Sequence, residues 1–155
     1  KVTVISVRKF TPLIGKKKLC EERVLKAGKI LEKNGAGVRV GRVLAGDSAN
    51  DLLLFSAFEN FAELALHREK ISTDPSMKML QEERDADPAS TMLGPNVYSA
   101  VHGGVPEGYP AILYREYQIK RENITKAIAL FPEIETINEH IDWKMMAVVP
   151  VIFLT

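Results

Sequence analysis

The sequence has little of several features that would indicate a specific class of protein. It contains one cysteine, Cys20, so no internal disulfide can form. No apolar run approaches the ~20 residues that a membrane-spanning helix needs. The sequence contains 21 Lys and Arg and 20 Asp and Glu, which gives a net charge of +1. A net charge this small gives no attraction to nucleic acid or to an anionic membrane. The composition predicts a soluble, cytoplasmic protein in a reducing compartment.

Motifs for catalysis or cofactor binding are also missing. Gly103-Gly104 lacks the rest of a nucleotide fingerprint, and no Gly-x-Ser-x-Gly is present. The acidic stretch from Glu133 to Asp142 lacks metal-ligand spacing, so we interpret it as a solvated helix face. We therefore expect no cofactor and no metal, and the sequence favours a binding protein while leaving enzymatic activity open.

Periodic segments are what the sequence does contain. β-Branched residues from Val2 to Phe10 predict a strand, and an apolar stripe from Lys16 to Lys33 predicts an amphipathic helix that Asn34-Gly35 ends. Alternation from Val38 to Leu44, a Gly-Asp-Ser turn, and the apolar run Leu52 to Phe58 predict a hairpin.

The next segments complete a unit. Asn60 can cap a helix running to about Lys70, and Thr73-Asp74-Pro75 predicts a new helix start, so this helical region is expected to be broken in two. Thr91 to Val101 predicts a fourth strand, with a bend or an edge at Gly94-Pro95. The order strand, helix, strand, strand, helix, strand predicts a ferredoxin-like α+β unit with an antiparallel sheet.

The rest of the chain resembles its opening. Tyr114 to Tyr117 repeats the pattern of Val7 to Phe10, and Ile137 to Met146 repeats that of Leu31 to Val40. We therefore predict a first ferredoxin-like unit over 1–102, a connector over 103–110, and an incomplete second repeat over 111–155 whose last strand runs from Met145 to Leu154. The alternative is a chance likeness of amphipathic segments.

The apolar pattern of one predicted strand indicates that the sheet packs against a second sheet. Leu52 to Phe58 is apolar at alternate positions on both sides, so both faces of its sheet need a cover. The two helices of a single unit cover only one face of the sheet. The other face would need a second sheet from the second repeat or from another copy. This predicts a homodimer or higher oligomer that encloses a barrel-like pocket.

These segments together resemble the dimeric α/β-barrel superfamily, which includes antibiotic-biosynthesis-type monooxygenases, haem-degrading monooxygenases and NIPSNAP-like proteins. The resemblance covers about the first hundred residues and is carried by Pro12 to Lys16, Gly37 to Gly46 followed by Asp51 to Glu59, and Ser72 to Leu80. It implies the fold and an unknown function, since oxygenases, lyases and pure binders share this scaffold. Haem-degrading members imply a ligating His on the second helix with a nearby Asn and Trp. His67 lies on that helix, while Asn60 is better explained as its cap and Trp143 lies in the second repeat.

Few residues are candidates for a site. His67 is a weak catalytic candidate, and a partly buried, hydrogen-bonded histidine is the alternative. Arg8, Arg42 and Arg115 are expected on strands, where an inward guanidinium needs an anionic partner such as a ligand carboxylate or a glutamate. The ligand-pocket candidates are His67, Tyr98, Tyr114, Tyr117, Trp143 and Arg42.

Three functions are compatible with these features. The favoured one is binding of a small apolar or carboxylate-bearing molecule in a barrel pocket. The alternatives are a cofactor-independent or haem-dependent monooxygenase and a structural oligomerisation module.

Overall fold

A computed structural model describes residues 1–151 of the chain. The first part of the chain forms a β-α-β-β-α-α-β unit. Its elements are β1 (Val4–Pro12), α1 (Lys17–Lys33), β2 (Gly37–Arg42), β3 (Leu52–Phe58), α2 (Phe61–Thr73), α3 (Pro75–Ala86) and β4 (Ser90–His102). The second part carries a single 3-10 turn (Arg121–Asn123), α4 (Ile124–Ile137) and β5 (Ala147–Val151).

The strands form one antiparallel sheet in the order β2-β3-β1-β4-β5. The first four strands have the order and connections of the split β-α-β arrangement, with β1 in the middle. The predicted α+β, ferredoxin-like fold is therefore confirmed, as is the hairpin of β2 and β3.

Helices α1, α2 and α3 lie on one face of this sheet. Along β3, Leu52, Leu54, Ser56 and Phe58 are buried while the residues between them are half-buried. Their β1 partners Phe10, Arg8, Ser6 and Val4 share this helix-covered face, because directly paired residues point to the same side. The core forms where this face meets Val24 and Leu31 of α1 and Leu64 of α2.

Helix starts follow the predicted caps. The Asn60 side chain accepts a hydrogen bond from the Glu63 backbone N–H at 2.9 Å, and Asp74 accepts one from the Ser76 N–H at 2.8 Å, with Pro75 in the first turn of α3. The second helical region is therefore broken in two, as predicted.

The bend predicted at Gly94-Pro95 is a register irregularity in β4. Val7 pairs with Asn96 and Lys9 with Leu93, so Arg8 lies opposite the irregular residues. Gly94 has a φ of +96°, and a Cβ at this position would lie 2.6 Å from the Val7 carbonyl oxygen. Only glycine fits this close backbone approach.

The C-terminal segment differs from its prediction in one respect. Residues 111–120 have no regular secondary structure, so the strand expected at Tyr114 to Tyr117 is wrong. A strand needs ladder hydrogen bonds to a neighbouring strand, and this segment pairs with none of the five strands of the described sheet. The predicted strand Met145 to Leu154 is present as β5, although its residues 152–154 lie outside the described part of the chain. The division into two repeats stays a prediction.

Within residues 1–151, the structure contains no helix long and apolar enough to cross a membrane.

Candidate functional site

A cavity of about 640 Å³ lies between the helix-covered face of the sheet and helices α1 and α3. We call it the helix–sheet cavity. Its apolar wall consists of Phe10, Val24, Ala27, Leu31, Leu54, Ile71, Met77, Leu80, Pro88, Ala89, Met92 and Pro95, and its polar lining consists of Arg8, Cys20, Arg23, Gln81, Arg84, Asp85 and Ser90.

Among the charged residues that line the helix–sheet cavity, Arg8 is the one that lies on a strand of the sheet. The side chain is half-buried, and its guanidinium makes no hydrogen bond or ion pair with any residue in 1–151. Burial lowers the pKa of Arg8, and repulsion by Arg68 and Arg84 lowers it further. The local environment thus disfavours this cation, and no carboxylate of the described residues forms an ion pair with it.

Arg23 of α1 reaches the C-terminal end of α3. Its guanidinium donates hydrogen bonds to the backbone carbonyl oxygens of Glu83, at 3.3 Å, and Asp87. Its Nε is buried and has no hydrogen-bond partner within the described chain. Arg23 therefore ties α1 to α3 and leaves one buried donor unused at the cavity.

Arg84 of α3 is half-buried and makes no hydrogen bond or ion pair with residues 1–151. The nearby carboxylates are taken by lysines of α1 and the turn before it: Glu83 pairs with Lys26 at 3.1 Å and Asp87 with Lys16 at 2.8 Å. The lining of the cavity thus contains three arginines and one carboxylate, that of Asp85.

Cys20 lies in the wall of the cavity with 1% of its surface exposed. Burial raises the pKa of the thiol, against a hydrogen bond with Ser90 that lowers it. A thiol that stays protonated is a poor nucleophile.

None of the pocket candidates chosen from the sequence lines the helix–sheet cavity. Tyr98, on the sheet face opposite α1–α3, shares a hydrogen bond with Tyr114, and Tyr114 and Tyr117 are each 64% exposed. Trp143 is half-buried in the C-terminal segment, and Arg42 pairs with Glu21 at 2.8 Å. The structure therefore brings Tyr98 and Tyr114 together and leaves Tyr117, Trp143 and Arg42 apart from the cavity.

His67 is 5% exposed and packs its ring against Phe58, with ring centroids 4.9 Å apart. Its Nδ1 lies 3.1 Å from the Asn34 carbonyl oxygen, which makes Nδ1 the donor, and burial lowers the pKa of the ring. Its Nε2 is buried without a partner among the described residues. Because a haem ligand needs room for the porphyrin beside the coordinating nitrogen, this enclosed ring does not fit that role.

Among residues 1–151 no group of three or more His, Cys, Asp or Glu side chains is placed to hold a metal ion. The acidic residues of the C-terminal segment are partly used elsewhere. Glu135 lies 2.7 Å from Nε2 of His102, and Asp142 accepts a hydrogen bond from the Tyr109 hydroxyl at 2.9 Å.

The sequence predicted Arg8 on a strand, where an inward guanidinium needs an anionic partner, but the arginine chosen as a pocket candidate was Arg42. Arg23 and Arg84 lie on helices whose other polar residues are mostly exposed, and they were not predicted. Their positions at the cavity follow from the crossing of α1 and α3, which local patterns do not encode.

Comparison with known proteins identifies relatives by structure. No known family profile and no curated protein matches the chain. An uncharacterised NIPSNAP domain protein from Burkholderia xenovorans is 18% identical with a TM-score of 0.46, covering 59% of this chain and 93% of that one. An uncharacterised NIPSNAP-like domain protein from the same organism is 10% identical with a TM-score of 0.48, covering 75% and 95%. The solved structures similar to this chain thus include NIPSNAP-like proteins.

A third similar structure is Rv0793 from Mycobacterium tuberculosis, at 12% identity and a TM-score of 0.42, covering 68% of this chain and 98% of that one. The fold assignment itself rests on the strand order described above.

Proposed function

We propose that this protein binds a small apolar or carboxylate-bearing molecule in the helix–sheet cavity. The observation that carries this proposal is the combination of an apolar wall with the unpaired guanidinium of Arg8. Ligand sites are concave, mostly apolar, and contain a few polar groups that fix orientation, and their usual volume of ~300–1,000 Å³ includes that of this cavity. The proposed site lies on the helix side of the sheet, whereas the sequence predicted a pocket in a barrel formed by two sheets.

A substitution on α1 that fills the cavity with a larger side chain tests this proposal. Ala27 is half-buried in the cavity wall, so Ala27→Phe should occupy the space that a ligand needs. We expect the fluorescence of anilinonaphthalene sulfonate, an apolar anionic probe, to increase with the unmodified protein and its affinity to fall about tenfold or more in Ala27→Phe. Ala65→Phe, on an exposed position of α2, should bind the probe normally. Equal probe binding by both variants would contradict the proposal.

We further propose that the sheet face opposite α1–α3 binds a second copy of the chain. Val7, Leu53 and Phe55 are apolar and half-buried there, and the C-terminal segment covers this face in part, through the Arg39 hydrogen bond to the Tyr109 carbonyl oxygen and the Tyr98–Tyr114 pair. An apolar sheet face is normally covered by a second layer.

Sedimentation velocity tests this second proposal. We expect the unmodified chain to sediment as a dimer or larger assembly and Phe55→Lys to sediment as a monomer, because an unpaired ammonium in an apolar interface is costly. Leu66→Lys, at a half-exposed position of α2, is the matched control and should leave the assembly intact. A monomeric unmodified chain would remove the basis for this proposal.

A further inference from the structure

We infer that the ligand of the helix–sheet cavity is a monocarboxylate with an apolar body, whose carboxylate binds Arg8 and Arg84 while its body lies against the apolar wall. This inference rests on the proposed function and specifies the chemical class of the ligand. It is carried by the imbalance of charge at the cavity and by the position of Arg8 in the sheet.

The position of Arg8 is unusual for an arginine. It lies on the central strand and on the helix-covered face, where its neighbours on the same side are Ser6 and Phe10. Opposite it, β4 departs from regular pairing at Gly94-Pro95. Bulges of this kind occur next to functional sites, where they redirect a side chain or end the pairing. A half-buried guanidinium without a partner is costly unless an anion satisfies it.

The surrounding residues do not supply that anion. Lys16 and Lys26 pair with the carboxylates of Asp87 and Glu83 at the C-terminal end of α3. Arg23 uses backbone carbonyl oxygens as acceptors and keeps a buried Nε without a partner. The Asp85 carboxylate is exposed and forms no ion pair with residues 1–151. An external anion would therefore gain charge-assisted hydrogen bonds without displacing an internal ion pair.

The form of the site favours a carboxylate over a phosphate. A guanidinium presents two parallel N–H groups that match two oxygens of a carboxylate or of a phosphate, so the choice between them depends on the surroundings. Phosphate sites are commonly built on helix N-termini. The last turn of α3 lines this cavity through Arg84 and Asp85, and the C-terminal end of a helix carries partial negative charge. A second negative charge on the ligand would be repelled there, so a singly charged head group is preferred.

The apolar body follows from the accessible part of the apolar wall. Ala27, Ile71 and Met77 are half-buried and Met92 is 37% exposed, so the lining contains apolar side chains with surface that a ligand can contact. A polar body would lose its hydration at this wall without gaining hydrogen bonds. An alkanoic or arylalkanoic acid meets both requirements, with its charged end at the arginines and its hydrocarbon end at these apolar side chains.

Titration calorimetry with octanoate, octanol and octyl phosphate tests the inference, because these probes share one body and differ in head group. We expect octanoate to bind at least about tenfold more tightly than octanol and more tightly than octyl phosphate. Arg8→Met, which keeps an apolar stem, should lose that advantage and retain the binding of octanol. Arg84→Gln should reduce octanoate binding as well, and it provides a second variant if Arg8→Met does not fold. Arg42→Met, whose arginine is paired with Glu21 away from the cavity, is the control and should bind octanoate normally.

The outcomes separate the two proposals. Equal affinity for octanoate and octanol, or unchanged octanoate binding in both Arg8→Met and Arg84→Gln, would overturn the inference and leave an apolar binding site in place. Tighter binding of octyl phosphate would overturn the choice of a monocarboxylate. Failure of all three probes and of anilinonaphthalene sulfonate to bind would overturn the proposed function together with the inference.

Discussion

Residues 1–102 and residues 103–151 differ in how they cover their apolar side chains. In the first region, α1, α2 and α3 bury leucines, valines and phenylalanines against the sheet. In the second region no described residue is buried, and α4 exposes Ile134 and Ile137, the latter at 72%. Both regions have a comparable apolar pattern in sequence, so the difference lies in the surface that each region meets.

The two regions meet where β5 pairs with β4, and the side-chain contacts outside this pairing are mostly polar. Arg39 donates to the Tyr109 carbonyl oxygen at 2.8 Å, His102 pairs with Glu135, and Tyr98 with Tyr114. The ring of Phe131 on α4 stacks on His102 at 6.3 Å between centroids. Hydrogen bonds of this kind fix a position but add little net stability compared with buried apolar surface. The comparison therefore predicts that the first region holds most of the folding free energy.

The largest expected effect is the loss in free energy of unfolding when a buried leucine of the first region is truncated, compared with an exposed leucine of the second. Leu64 of α2 is 5% exposed and Leu130 of α4 is 50% exposed. We expect Leu64→Ala to lower the free energy of unfolding by about 3 kcal/mol and Leu130→Ala by less than about 1 kcal/mol, measured by urea denaturation. Equal losses would show that α4 is covered as well as α2, for example by a second copy, and the contrast between the regions would fail.

This contrast also explains how far the sequence could predict the fold. Order and bounds of the elements from β1 to β4 follow from local signals: alternation in β3, the Asn60 cap, and the Asp74-Pro75 helix start. Here the local preference and the tertiary structure agree. The segment around Tyr114 has the pattern of a strand, yet it pairs with no strand of the described sheet and forms none.

The candidate site was less predictable because it depends on distant segments. Arg8, Arg23 and Arg84 come from β1, α1 and α3, and they meet at one cavity through the packing of two helices on a sheet. The aromatic residues chosen for the pocket were selected by type alone. Their place on the opposite sheet face or in the exposed C-terminal segment depends on register and on the path of the chain, which single-residue chemistry does not determine.

A smaller effect is expected at Asp74, which joins three helices of the first region. Its carboxylate caps α3, accepts a hydrogen bond from the Asn34 side chain at 2.8 Å and pairs with Lys33 at 3.4 Å. The Asn34 hydrogen bond, followed by the Ser76 N–H and Lys33, lowers the pKa of Asp74 to about 2. A lowered carboxyl pKa stabilises the folded state above the ordinary value near 4, and this contribution is lost as the pH falls towards 2.

Asp74→Asn keeps a capping side chain and removes the charge. We expect it to lower the thermal midpoint at pH 7 by about 2–4 °C, and the difference from the unmodified protein to shrink between about pH 4 and pH 2. Asp47→Asn, in the exposed turn before β3, serves as the control and should show no such pH-dependent difference. A difference in midpoint that stays constant from pH 7 to pH 2 would argue against a role for the charge.

The smallest expected effect is local and concerns the link between the two regions. Arg39→Met removes the hydrogen bond to the Tyr109 carbonyl oxygen, while Arg42→Met removes the ion pair with Glu21 on the other side of the sheet. We expect hydrogen exchange over 103–110 to accelerate in Arg39→Met alone, with the amides of β1 and β3 unchanged and global stability altered by no more than about 0.5 kcal/mol. Slower or unchanged exchange over 103–110 would show that other contacts hold this segment. Faster exchange in β1 would show that the two regions unfold as one unit, because loosening the second region would then also open the sheet of the first.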